Sequence, residues 1–231
     1  MAAGETNGAA GLRVGDRTEP RIGEVRPTRD ERRDEKETMR TEALSDGIFA
    51  IAVTLLVLDL YDPTRGTTVS LSQGLQEEWP AFFALGTSFI TILIMWMNHH
   101  NMFTLIRRID RRLMLLNGLL LLFVVLTPFT TLLVANHISA PDEKVAAAVY
   151  AGNFLLVSIV WNGLWRYVSS GRRLLGNEAT EEQVRTITNQ YFVAPVSYGA
   201  ALVLSQVSGL ASVVLILIVA AFFAITATLG K

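Results

Sequence analysis

Asp46 stands inside an otherwise apolar run, where an ionisable side chain needs a partner. Counted along a helix, it lies about 9 Å inside Arg40. Polar residues reach the same level on the neighbouring apolar runs. Trp96, Asn98, His99 and His100 precede Arg107 by a similar distance, and Asn117 follows Arg112. Arg40, Ser45, Asp46, Trp96, one of His99 and His100, and Asn117 can therefore form one polar layer across three helices. Such a layer supports a structural network that locks helices together, or proton sensing by a carboxylate and an imidazole. It fits a metal poorly, because adjacent histidines diverge by about 100° on a helix while a shared ion wants an i, i+4 pair. The chain has no cysteine, which excludes disulfides and thiolate metal or redox sites. There is no nucleophile–base pair and no phosphate-cradling glycine loop, so no enzymatic activity and no cofactor are expected.

The same segment carries a second pattern. On a helical wheel Gly47, Ile51, Thr54, Leu55, Leu58 and Asp62 fall within about 60° of Ile51, and Asp46 falls about 140° away. The result is a narrow stripe of branched apolar side chains with one hydroxyl and an acidic end. A lipid-facing or packing surface accounts for it, and so does the lining of a pore. Asp59 and Asp62 in turn mark a membrane boundary.

These residues must be positioned by helices. Half of the 231 residues (51 %) are hydrophobic and only 18 % are charged. Six long apolar stretches, near 40–61, 81–106, 112–136, 144–168, 183–207 and 210–230, each approach the roughly 20 residues that cross a bilayer as helix. Strand-like alternation is missing, so the fold is an all-α membrane protein. Breaks are expected at Asp62-Pro63, Ala140-Pro141, Gly171, Gly176-Asn177 and Ser208-Gly209, and Thr180 with Gln183 reads as a capping box. Pro128 and Pro195 read as kinks tolerated within spans. Residues 1–36, with mixed charge and few large apolar side chains, read as a disordered tail ahead of a six-helix domain over 37–231. Eighteen of the twenty Lys and Arg residues fall on one side of this topology, which puts both termini in the cytoplasm. A net charge of −1 argues against a nucleic-acid partner.

Arg40-x-x-x-Leu44-Ser45-Asp46-Gly47 resembles the Arg-x-x-x-Phe-Ser-Asp signature of the transmembrane protein 175 family, the endolysosomal potassium channels and their bacterial relatives. The resemblance continues through Thr54–Leu60, Trp96-Met-Asn-His-His100 with Phe103, Asn117-Gly-Leu-Leu and Thr127-Pro-Phe-Thr130, and covers the first three helices. Leu44 replaces the signature phenylalanine, which loses an aromatic ring and keeps most of the apolar volume. The resemblance implies a homotetramer in the bacterial inner membrane, surrounded by lipid, with four first helices around a central pore. Its isoleucine constriction would fall on Ile51, its hydroxyl layer for selectivity on Thr54, and further apolar rings on Leu55 and Leu58. Asp59 and Asp62 would then stand at the outer mouth and enrich the permeant potassium ion. A proton-coupled transporter using Asp46 and His99 or His100 is the competing expectation.

Overall fold

A computed structural model describes residues 28–60, 68–176 and 179–229. Among them are seven α-helices: α1 (Arg29–Leu55), α2 (Leu71–Glu77), α3 (Trp79–Thr104), α4 (Arg111–His137), α5 (Glu143–Ser169), α6 (Glu181–Leu204) and α7 (Gly209–Leu229). Six are long. By length and composition alone, four can cross a membrane: α1, α3, α4 and α5. The α6 helix is 24 residues long but opens with Glu181, Glu182 and Arg185, whereas α7 is 21 residues long and carries no charged side chain. Polarity at the start of α6 sets it apart from the four, and all six long helices of the expected order are present.

The chain departs from the expected elements in three places. First, α1 begins at Arg29, so the part of the expected 1–36 tail from Arg29 onward is helical. Its charges support the helix, as where Arg33 pairs with Glu37 one turn on, at 3.2 Å. Residues 1–27 lie outside the described residues. Second, α1 tightens into a 3₁₀ turn over Leu56–Asp59 and ends at an extended Leu60. Third, the short α2 occupies the first loop, started by a Ser70–Gln73 capping box that is visible in the sequence. The Thr180–Gln183 box does open α6, and both Pro128 and Pro195 sit inside helices. Gly209 is required where α7 begins, since a Cβ there would stand 2.8 Å from the Glu143 carbonyl oxygen.

Between helices in lipid, apolar burial supplies little drive, so packing shape and polar bonds carry more of the load. Ser88 on α3 reaches Thr131 on α4 at 2.6 Å and Tyr150 on α5 at 2.8 Å. Asn153 on α5 donates to the Phe123 carbonyl and the Thr127 hydroxyl of α4, each at 3.2 Å. The helices α3 to α7 pack around one another in this way. By contrast, α1 packs only on α3 and α4 among the described long helices. Only 22 % of its membrane-length stretch is buried, against 44 % in α3 and in α4 and 56 % in α5, so one whole face of α1 is left open.

Candidate functional site

The packed face of α1 is tied to α3 and α4 by short polar bonds. Ser45, fully buried, donates to the Thr41 carbonyl at 2.9 Å and accepts from the Asn117 amide nitrogen at 2.9 Å. The other amide atom, Asn117 Oδ1, lies 2.9 Å from His99 Nε2. Because that oxygen is an acceptor, the proton of the ring belongs on Nε2. His99 is sealed in: it stacks on Phe103 with centroids 4.3 Å apart and is flanked by Phe49 and Trp161. Its Nδ1 makes no hydrogen bond.

A second set lies beside the first, nearer the surface. The Trp96 indole donates to Asp46 at 2.9 Å, and His100 meets Glu42 at 2.7 Å while stacking against Trp96. The single polar layer expected from sequence is thus two adjacent sets, with His99 in the buried one and His100 in the other. Asp46 takes its hydrogen bond from Trp96 and not from Arg40. The expected Arg40 partnership fails for a geometric reason. Six residues of helix turn through about 600°, which leaves Arg40 on the stripe of Ile51 and about 120° from Asp46. Arg40 is exposed and joins none of these bonds. Glu42, which sequence reasoning missed, had a signal in its spacing: it shares with Asp46 the i, i+4 face turned toward α3.

The open face of α1 carries the stripe. Leu44 is 62 % exposed, Ile51 57 %, Leu55 37 % and Leu58 72 %, whereas Phe49, Ala52 and Leu56 on the packed side are each 1 % exposed. Thr54 lies on the open face and donates its hydroxyl to the Ile51 carbonyl at 2.9 Å, which leaves the oxygen lone pairs facing outward. The 3₁₀ turn keeps Leu58 over Leu55, because three residues at about 3 per turn complete a full circle. Its larger rise carries Leu58 to about 12 Å from Ile51 along the axis, farther than a continuous α-helix would. The side chain of Asp59 and all of Asp62 lie outside the described residues.

A third polar cluster closes the arginine-rich end of the bundle. An isolated antiparallel bridge joins Ile106 to Leu175, with Arg107 N–H donating to the Leu174 carbonyl and Gly176 N–H to the Leu105 carbonyl, both at 2.9 Å. Asp110 caps α4 through the Leu113 N–H at 2.9 Å, accepts from Tyr167, and pairs with Arg173 at 3.3 Å. Burial pushes the Asp110 carboxyl up, but the Tyr167 hydroxyl, the backbone N–H groups and Arg173 outweigh it and hold the carboxyl below the usual aspartate value. Arg108 pairs with Asp34 on the α1 extension at 3.0 Å. Among the described residues no group of three or more His, Cys, Asp or Glu stands together that could hold a metal ion.

Residues 40–128 match the family model described as endosomal/lysosomal potassium channel TMEM175. The chain is 44 % identical to a potassium channel of Chamaesiphon minutus over 83 % of this chain and 96 % of that one. It is 34 % identical to a potassium channel of Streptomyces collinus over 74 % of this chain and 84 % of that one. The fold matches the crystal structure of a lysosomal potassium-selective channel TMEM175 homolog from Chamaesiphon minutus with a TM-score of 0.76 and 42 % identity, covering 83 % of this chain and 98 % of that one.

Proposed function

We propose that this chain, which belongs to the TMEM175 potassium channel family, is one protomer of a homotetrameric channel that passes potassium down its electrochemical gradient. The observation that carries the proposal is the open stripe of α1. A multi-pass membrane protein leaves Leu44, Ile51, Leu55 and Leu58 uncovered on one helix while it knits the opposite face to two neighbours. Four such stripes around an axis make a pore. In this reading six helices span the bacterial inner membrane with both termini in the cytoplasm, and the arginine-rich end faces inward.

The chemistry of conduction follows from the order of side chains. Four Ile51 side chains form an apolar neck in which water and a hydrated cation are poorly solvated, so wetting of the neck sets the barrier. Leu55 and Leu58 lengthen the dry zone. The four Thr54 oxygens, with their protons committed to Ile51 carbonyls, present acceptors that replace part of an ion's hydration. Asp59 and Asp62 at the outer mouth raise the local cation concentration. The polar sets around Asp46, Trp96, His99, His100 and Asn117 hold α1 at its angle, so they position the neck and do not touch the ion. The competing reading, a proton-coupled transporter using Asp46 with His99 or His100, finds less support, because Asp46 bonds to Trp96, His99 to Asn117 and His100 to Glu42, so neither imidazole is hydrogen-bonded to that carboxylate.

The test is flux from purified protein in liposomes loaded with potassium, with and without a pH gradient. Passive potassium efflux that needs no proton gradient is expected. Efflux that requires one would favour the coupled transporter and defeat the channel reading.

A further inference from the structure

The open face of α1 does not stop where the apolar stripe ends. From Arg29 to Arg40 the helix runs on, and of its described side chains only Asp34 and Thr38 are covered by the protomer. Asp34 reaches Arg108 at 3.0 Å, and Thr38 is 7 % exposed. Both lie on the side of Ser45 and Phe49, so one continuous face holds the whole of α1 to its own protomer. The opposite face continues the stripe in steps of seven. Glu37, Leu44 and Ile51 share one heptad position, and Arg33, Arg40, Gly47 and Thr54 share another.

Charge on this open face is sorted by side. On the wheel centred on Ile51, Arg29, Lys36 and Arg32 lie about 40°, 60° and 100° to one side, and Glu37 and Asp30 about 40° and 60° to the other. Within one chain that sorting is unfavourable. The positions three and four residues from Lys36 hold Arg32, Arg33, Met39 and Arg40, none of them an acid, and Arg29 has Arg32 and Arg33 one turn on. Like charges at these spacings weaken a helix. Among the described residues, Arg29, Asp30 and Lys36 take part in no ion pair.

Rotation about a pore axis turns the sorting into a match. In a head-to-tail ring each copy shows its basic flank to the acidic flank of the next. Lys36 and Glu37 differ in height by about 1.5 Å, as do Arg29 and Asp30, so unlike charges of parallel neighbours come level twice, one heptad apart. We infer that Arg29–Arg40 forms a collar at the arginine-rich end, in which Arg29 and Lys36 of each copy meet Asp30 and Glu37 of the next copy. The inference rests on the four-copy arrangement proposed above, and it gives a partner to the segment that precedes the family match at Arg40. The collar ties the pore helices to one another, where the Asp34–Arg108 pair ties each to its own bundle. Its axial side carries Arg33, Glu37 and Arg40, so it stays wet, unlike the neck at Ile51.

The chain has no cysteine, so one introduced thiol reports on its own position. In the purified full chain, a short bis-maleimide should link pairs of copies through Arg29→Cys. It should link almost none through Glu35→Cys, which lies about 160° from the stripe. Adding Lys36→Glu to Arg29→Cys separates the collar from a lone helix. On a lone helix the new carboxylate stands one turn from Arg32 and Arg40 and favours order. In the collar it faces Glu37 of the next copy, and linkage should fall about fivefold, the scale of one exposed ion pair. Glu37→Lys as a further change should restore it. Native mass spectrometry counts the copies in the same samples. A tetramer that links equally from Arg29→Cys and Glu35→Cys would overturn the collar and leave the channel reading standing, as would linkage that Lys36→Glu leaves unchanged or raises. A chain that is monomeric throughout would overturn both.

Discussion

One face of α1 carries Ser45, Phe49, Ala52 and Leu56, none more than 1 % exposed, while the other carries Leu44, Ile51 and Leu58, each more than half exposed. Both faces belong to the same 27-residue helix and the 3₁₀ turn that continues it, and both are mostly apolar. What separates them is the company they keep. The packed face alternates apolar contacts with hydrogen bonds to α3 and α4, and each bond has one geometry. The open face has none of these commitments, and its hydroxyl, Thr54, bonds to its own backbone. In a membrane an apolar side chain gains little by leaving lipid for protein, so apolarity alone does not distinguish a packing face from a pore face. The polar residues do.

The comparison breaks if truncations on the two faces cost the same. Phe49→Ala removes a fully buried ring that rests on His99, and should destabilise the detergent-solubilised protein by about 3–5 kcal/mol. Ile51→Ala should cost under about 1 kcal/mol in the same unfolding titration, since its side chain has little to lose from packing in the protomer. Similar losses at the two positions would mean that the stripe is packed after all.

Next in size is the bond set of the packed face. Asn117→Leu keeps the volume but leaves the His99 N–H without its acceptor and the Ser45 oxygen without the amide donor, while the Ser45 hydroxyl keeps its bond to the Thr41 carbonyl. Each unmade buried bond should cost about 1–3 kcal/mol. Gel filtration and thermal unfolding should report a weakened assembly, and a normal melting profile would show that the set is dispensable.

How much of this was legible in the sequence turns on which partner a side chain finds. Helix existence was readable, because long apolar runs and caps such as Thr180–Gln183 are local. The stripe was readable too, because it is a wheel angle and needs no neighbour. Asp46 was correctly seen to need a partner, yet its partner is Trp96, which only the crossing of α3 over α1 decides. Arg40 is the converse case: it is near in sequence and on the wrong side of the helix. The 3₁₀ turn over Leu56–Asp59 was hidden, since its residues are also good α-formers. So was the charged start of α1, where i, i+4 pairing outweighs a composition that reads as tail.

Smaller effects lie at the arginine-rich end, where the α1 extension meets the loops. The Asp110 carboxyl, held below its usual value, contributes stability that is present above the ordinary aspartate range and is lost as pH falls through the lowered folded value. Thermal stability of the wild-type chain should therefore drop on acidification below about pH 4, the usual aspartate range. Asp110→Asn should remove that component of the pH profile, and a profile identical to wild type would show that the clasp contributes nothing. The Arg108–Asp34 pair is partly exposed and should matter least, under about 1 kcal/mol. Restoration of wild-type melting by the swapped pair Asp34→Arg with Arg108→Asp, after loss in either single variant, would sharpen the link between α1 and the loops.

The central claim is that the open face of α1, and not its packed face, meets the permeating ion. Single-channel recording of Ile51→Asn tests it most directly. A polar ring in place of the isoleucines should wet the neck, raise conductance and weaken discrimination between potassium and sodium. Unchanged conductance in a properly assembled Ile51→Asn channel would contradict the account and place the constriction elsewhere.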